Sequence, residues 1–349
     1  MNPSFRAVIG ASDADRRDLF LGTAARLGAA LQNVEKDFWV CWTLDALFNG
    51  MPADGPRLPF KGGTSLAKAF GLISRFSEDI DITVFRGDLG QATNVAELDA
   101  MSGKQRRLRL AAIRTACQAH IAGPLTTRLR ELAAAVIPES RFRLEPDTDD
   151  RDGQTLLFWY PTVVSSPNEY VRSAVKIETG AKSALDPNAA ATVTPFVAQD
   201  LPGLDLAVGN ITTVGPERTF WDKVIILHGL RQWHDRRGEL RHGGQRVSRH
   251  YYDVHQLLQS ASARKWQADR VLAVDCAQHA RMFFGSTDLG LDTAKPGTFT
   301  LKPGASMVDA LARDYSAMSG MVFGAIPSLD TVLASTERLE RFVNQATMD

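Results

Sequence analysis

Two aspartates one residue apart, Asp79 and Asp81, open the apolar run Ile80, Ile82, Val84. Residues two apart on a strand point to the same side, so the pattern predicts two carboxylates together on one face and three apolar side chains on the other. Two adjacent carboxylates repel each other unless a divalent cation lies between them. Mg²⁺ suits that position, because it takes oxygen ligands and keeps other places for water and phosphate. Upstream stands Gly62-Gly63-Thr64-Ser65, followed by a helical stretch. The glycines let backbone N–H groups approach an anion, the helix adds the positive end of its dipole, and the Thr64 or Ser65 hydroxyl could bond a phosphate oxygen. Taken singly, the aspartate pair is an ordinary solvated strand end and the glycine pair an ordinary turn. Thirteen residues separate Ser65 from Asp79, and in that combination the parts describe a holder for a nucleoside triphosphate and its metal.

The elements that must position these groups follow from periodicity. Apolar residues at mixed three-and-four spacing predict helix over 14–49, and three prolines and a glycine break it at 51–59. A helix is expected at 64–75 and a strand at 80–85. Residues 104–136 read as a long helix that Pro124 splits or restarts. Strands are predicted at 141–145, 155–160 and 170–178. Residues 180–210, rich in Ala, Pro, Gly and Asp, read as loops with one strand at most. A helix starts at Pro216, a hydrophilic stretch interrupts at 231–249, and helices at 251–259, 266–284, 306–323 and 328–346 complete the chain. The class is α+β: a mixed-sheet core with flanking helices over 1–214, then a mainly helical lobe over 215–349.

Here the chain resembles a known family. GGTSLAKAFGLISRFSEDIDI is similar to the signature of the AbiEii/AbiGii toxins, members of the polymerase-β-like nucleotidyltransferases. VEKDFWVCWTLDALF (34–48) resembles that family's N-terminal helix, VKIE (175–178) its second motif, PERTFWDKVIILHGL (216–230) its third and SRHYYDVHQLL (248–258) its fourth. TFTLKPGASMVDALARDYSAMSGMVFG (298–324) is similar to its usual tail, so that about 250 residues or more are covered. In the fourth motif relatives often read Arg-Asp-x-x-Asp. This chain reads Arg249-His250-Tyr251-Tyr252-Asp253, with histidine at the first acidic position.

The resemblance implies a nucleotidyltransferase-type sheet and a Mg²⁺-dependent transfer of a nucleoside monophosphate from a triphosphate to an acceptor hydroxyl. It implies a bacterial toxin–antitoxin or phage-defence system with a cognate antitoxin, and, from some relatives, the tRNA 3′ end as acceptor. Lys176 and Glu178 share one face of a strand. The resemblance makes Glu178 a third carboxylate at the metal and Lys176 a neutraliser of phosphate charge; spacing alone leaves open an exposed strand edge. It likewise assigns Lys223, Arg249 and Asp253 to nucleotide binding. Two other readings keep part of this picture: nucleotidylation of a protein hydroxyl, or a regulatory module that holds a nucleotide without turnover.

Charge adds a nucleic-acid expectation. The chain has 349 residues with 40 basic and 40 acidic, so only local patches matter. Residues 231–249 hold six arginines against Asp235 and Glu239, and Arg236, Arg237 and Arg241 are the candidates for an RNA backbone. A second cluster, Lys104, Arg106, Arg107, Arg109 and Arg114, reads more simply as a solvated helix face. His228, His234, His242 and His250 have no cysteine near them, which sets a zinc site aside. No GxSxG, GxxxxGK[ST] or HExxH pattern occurs, so those hydrolase, P-loop and zincin readings have no support. Cys41, Cys117 and Cys276 form no CxxC pair, and no signal segment or 18-residue apolar run appears. The expectation is a cytoplasmic protein without a membrane span.

Overall fold

A computed structural model describes residues 1–77, 79–164, 172–322 and 324–345. Glu78 of the signature, the first two residues of the strand predicted at 170–178, and Phe323 of the tail lie outside them. The chain divides into two compact units. One comprises 1–69, 76–93 and 102–214; the other comprises 70–75, 94–101 and 215–349.

The first unit starts with helices α1 (Phe5–Ile9), α2 (Asp13–Leu27) and α3 (Leu31–Asn49). The helix expected over 14–49 is thus two helices. Gly28, left-handed at φ 62, caps the first and turns the chain into the second. Strand β1 (Phe60–Lys61) leads into the short helix α4 (Gly62–Lys68), and β2 (Asp79–Ile82) follows. Helix α4 stops well before the predicted residue 75, and Gly71 beyond it has positive φ. After α5 (Val95–Ala100), which belongs to the second unit, come α6 (Gly103–His120) and α7 (Thr126–Ala134). Pro124 does not split them: one wider turn, Ile121–Leu125, absorbs it, and the Thr126 hydroxyl donates to the Ile121 carbonyl at 2.6 Å.

Strands β3 (Arg143–Pro146), β4 (Thr155–Trp159), β5 (Ala174–Glu178), β6 (Asn188–Val193) and β7 (Val208–Val214) complete the unit. Among the described residues the sheet runs β3-β4-β5-β2-β1-β7-β6. Pairing is parallel between β5 and β2 and between β1 and β7, and antiparallel elsewhere. Within 180–210 the structure has one whole strand, β6, and the first three residues of β7, with loop and one short 3-10 turn between them.

The core identifies the sheet's two faces. Ile80 pairs with Ile177, Leu156 with Ile177 and Phe158 with Val175, so these side chains share a face. Helix α3 covers that face, with Trp42 stacked on Phe158 at 5.2 Å and Trp39 on Tyr160 at 5.4 Å. The helix is buried nearly all round, which explains its apolar sequence from Phe38 to Leu47. The charged residues of β2 and β5 occupy the opposite face.

The second unit adds α8 (Pro216–Arg237), α9 (Ser248–Leu257), α10 (Ala263–Ala268), α11 (Arg270–Phe284), α12 (Ala305–Met318) and α13 (Leu329–Asn344). Helix α8 runs seven residues past its predicted end. Arg231 and Asp235, four apart, bond at 2.8 Å along it, and Gly238 at φ 70 ends it. No helix among the described residues is long and apolar enough to cross a membrane.

Candidate active site

Register assembles the carboxylate face. Asp79 lies beside Lys176 and Asp81 beside Glu178 across the parallel β2–β5 pair, while Lys61 flanks Asp81 from β1. Paired residues in neighbouring strands point the same way, so Asp79, Asp81, Lys176 and Glu178 share the side away from α3. All four are partly exposed, between the buried Ile80, Ile82 and Ile177.

Gly62 shows why the turn needs glycine. Its φ is +81, and a Cβ there would lie 2.2 Å from Asp81 Oδ2. The Asp81 carboxylate therefore occupies the space a side chain would fill. Thr64 and Ser65 are fully buried, and their hydroxyls point inward. Thr64 Oγ1 meets Ser77 Oγ at 2.8 Å and also donates to the Asp79 carbonyl, which ties α4 to the start of β2. Ser65 Oγ donates to the Gly62 carbonyl at 2.9 Å. The side chain of Lys61, at the cap, makes no capping bond to the first main-chain N–H groups of α4.

Lys176 sits among carboxylates, with Nζ 2.7 Å from Glu178 Oε1 and 3.7 Å from Asp147 Oδ2. Burial alone would push its ammonium down. Glu178, Asp79 and Asp147 outweigh that and hold it above the ordinary lysine value. Asp147, 5% exposed, is a member of this face that the sequence reading missed. Its acidic neighbourhood, Asp147 to Asp152, was the available signal.

Among the described residues no group of three or more His, Cys, Asp or Glu is drawn together as a finished metal cage. Glu178 is engaged by Lys176. The donor chemistry still fits Mg²⁺, which one or two carboxylates hold while water and substrate phosphates supply the remaining oxygens. Asp79 and Asp81 are the pair at the right register for that role.

The second unit holds the other candidates. Asp253 on α9 is fully buried and bound on both oxygens. Arg75 reaches it bidentately at 2.7 and 2.8 Å, and Lys223 of α8 reaches Oδ2 at 2.8 Å. Burial would raise the Asp253 pKa, and the two cations hold it well below the usual carboxylate range. Burial pushes Lys223 down; Asp253 offsets this in part, and Arg75 and Arg249 add to it. Arg249 has its Nε buried without a hydrogen-bond partner, and His250 has Nδ1 in the same condition. His250 is pushed far down by burial and by the charges of Lys223 and Arg249. Arg75 escaped the sequence reading although it lies inside the quoted signature, four residues before Asp79.

Arg236 and Arg237 lie on the exposed last turn of α8, and Arg241 follows it. Arg237 bonds Asp288 at 2.6 Å. Arg237 and Arg241 stand over the Trp233 ring at 5.6 and 5.7 Å, and burial lowers Arg241.

Comparison with known proteins agrees with this architecture. A family model described as "Nucleotidyl transferase AbiEii toxin, Type IV TA system" matches residues 45–337. No curated protein matches by sequence. Solved structures similar to the chain include the nucleotidyltransferase toxin MenT4 of Mycobacterium tuberculosis, at 17% identity and TM-score 0.52, over 95% of this chain and 91% of that one. At that identity the likeness concerns the fold.

Proposed function

The chain belongs to the AbiEii nucleotidyltransferase toxin family, and from that premise we propose that it transfers a nucleoside monophosphate from a triphosphate to the 3′ end of tRNA. The setting we propose is the bacterial cytoplasm, in a toxin–antitoxin or phage-defence system with a cognate antitoxin. The observation that carries the reading is the β2–β5 register, which sets Asp79, Asp81 and Glu178 on one partly exposed face with Gly62 backed against Asp81.

In this reading Asp79 and Asp81 hold Mg²⁺, with Glu178, paired to Lys176, beside them as the third carboxylate. When bound, the cation neutralises charge on the triphosphate and favours the ionised acceptor. Glu178 takes the proton of the attacking hydroxyl. The acceptor oxygen bonds to the α-phosphorus, the bond to the β-phosphate oxygen breaks, and pyrophosphate leaves. Lys176, held charged by its carboxylate neighbours, turns from Glu178 to the phosphates. Gly62, Gly63, Thr64 and Ser65 meet the nucleotide through main-chain N–H groups, since the two hydroxyls are committed inward. Lys223, Arg249 and Asp253 are the nucleotide-binding candidates of the second unit, where Asp253 orients Lys223. Arg236, Arg237 and Arg241 contact RNA phosphates; the exposure of Arg236 and Arg237, and the placing of Arg237 and Arg241 over the Trp233 ring, support this.

The test incubates the protein with each α-labelled triphosphate, Mg²⁺ and total tRNA. Label on the RNA 3′ end is the expected outcome, and Asp79→Asn or Asp81→Asn abolishes it. Label on protein transfers the reading to a protein acceptor, and no label refutes turnover. Expression without a partner slows bacterial growth, and Asp81→Ala relieves it; equal growth of the two strains sinks the toxin role of this site.

A further inference from the structure

Three consecutive charged residues, Glu35, Lys36 and Asp37, lie in α3, and all three are buried. A helix packed through Phe38, Trp39 and Trp42 is an expensive place for charge. Each residue is bound to a different segment of the first unit. Glu35 accepts from Thr162 Oγ1 at 2.7 Å and from the Val163 N–H at 2.6 Å. Lys36 donates to the Arg172 carbonyl at 3.1 Å, two residues before β5 begins. Asp37 Oδ1 takes Lys68 Nζ at 2.7 Å, and Oδ2 accepts the Phe196 N–H at 2.7 Å. The Lys68 ammonium also stands 4.0 Å over the Phe196 ring.

Lys68 is the last residue of α4, whose first residue is Gly62. Seven residues of helix cannot hold themselves in place. The Thr64 hydroxyl joins the helix to β2, and the Lys68–Asp37 pair ties its other end to the rigid α3.

We propose that Asp37 and Lys68 are positioning residues: their buried ion pair fixes where α4 sets the Gly62 turn against the Asp81 carboxylate. The proposal rests on the nucleotide-transfer reading above for its consequence in turnover. Its structural part stands apart. A buried ion pair contributes little net stability compared with an apolar pair of similar volume, yet it is directional where apolar packing is not. A short helix that must present a turn within van der Waals distance of a carboxylate needs direction.

The double variant Asp37→Leu/Lys68→Met replaces the pair by apolar volume. Hydrogen exchange of the hydrogen-bonded amides of α4, Leu66 to Ala69, is expected to quicken at least tenfold, while exchange in β4 stays at the wild-type rate. The kcat/KM for the triphosphate falls at least tenfold at a temperature where the variant is fully folded. Asp37→Asn, which keeps a side chain able to bond and removes its charge, gives an intermediate loss should the double variant fail to fold. Lys68→Arg, which keeps the pair, retains wild-type exchange in α4. Leu129→Ala, in the buried face of α7, serves as a destabilised control and leaves both readouts at α4 unchanged. Wild-type exchange and kcat/KM in the Asp37 variants overturn the proposal, as does an equal change in the Leu129 control. A wild-type protein that transfers no nucleotide refutes the parent reading alone, because the exchange measurement still reports the tie.

Discussion

Replacing Gly62 by alanine tests the carboxylate face at its tightest point. The added Cβ would lie 2.2 Å from Asp81 Oδ2, 2.9 Å from Cγ and 3.1 Å from Cβ, against ordinary contact from 3.4 Å. The difference, 3.4 − 2.2, means the carboxylate oxygen must retreat by about 1.2 Å. A displacement of about 1 Å in a reacting geometry costs on the order of 100-fold in rate, or about 2.7 kcal/mol of barrier. The backbone adds a smaller penalty: holding alanine at a left-handed φ costs about 1–2 kcal/mol. Gly62→Ala should therefore lose about a hundredfold in transfer while melting only several degrees lower. Initial rates of labelled nucleotide incorporation and a thermal melt measure the two. Gly22→Ala, in the exposed interior of α2 with nothing within 4 Å, is the control; it should stabilise by about 0.5–1 kcal/mol and leave transfer unchanged. Transfer by Gly62→Ala within threefold of wild type would refute the view that Asp81 must stay against this turn.

Asp253→Asn leaves Arg75 and Lys223 buried without their countercharge, and urea unfolding should show a loss of about 3–5 kcal/mol; a loss below about 1 kcal/mol refutes the assignment of a cooperative buried cluster. His228 is fully buried, its Nδ1 accepts the Thr300 N–H at 3.0 Å, Nε2 meets the Gly290 carbonyl at 3.1 Å, and burial pushes its pKa down; His250 is pushed further. Their folded values lie below the unfolded value of about 6.5, so both are neutral above it and stability is lost as pH falls beneath it, when the unfolded chain takes the protons first. The urea midpoint should drop between pH 7.5 and 5.5, with a smaller drop in His250→Asn, and a flat profile contradicts this. Changing Arg236, Arg237 and Arg241 to Gln should flatten the salt dependence of RNA binding with triphosphate affinity unchanged. Each lost phosphate contact lowers the slope by about one, and because Asp288 already holds Arg237 the expected fall is nearer two than three; an unchanged slope assigns these arginines to solvent.

Some of this was legible in the residue order. Alternation in Asp79-Ile80-Asp81-Ile82 and Val175-Lys176-Ile177-Glu178 specified which side chains share a face, since strand geometry has period two. The α+β class and the toxin family follow from the same segments, and both stand. That Asp81 sits beside Glu178 was not legible, because pairing between strands nearly a hundred residues apart is a tertiary outcome. Strand β1 has two residues, too few to show alternation, and β6 reads Asn-Ala-Ala-Ala-Thr-Val, where asparagine and alanine carry little strand preference. The Arg231–Asp235 spacing did contain the extension of α8, which the polar composition obscured. Arg75–Asp253 and Lys68–Asp37 join distant positions, and no local pattern announces them.

Strand order governs when this protein can become harmful to the cell that makes it. Strand β1, beside the carboxylate strand, pairs through Phe60 with Thr213, and β2 pairs with residues 176–178. A ribosome releases Gly62, Asp79 and Asp81 early, but β5, the partner of the aspartate strand, follows nearly a hundred residues behind them, and β7, the partner of β1, about 150 residues behind Phe60. Through that interval the emerging polypeptide carries the proposed cation-holding carboxylates without the sheet that aligns them. On the proposed function, a message cut short before codon 214 yields an inert product, and synthesis itself provides a delay during which an antitoxin can be made.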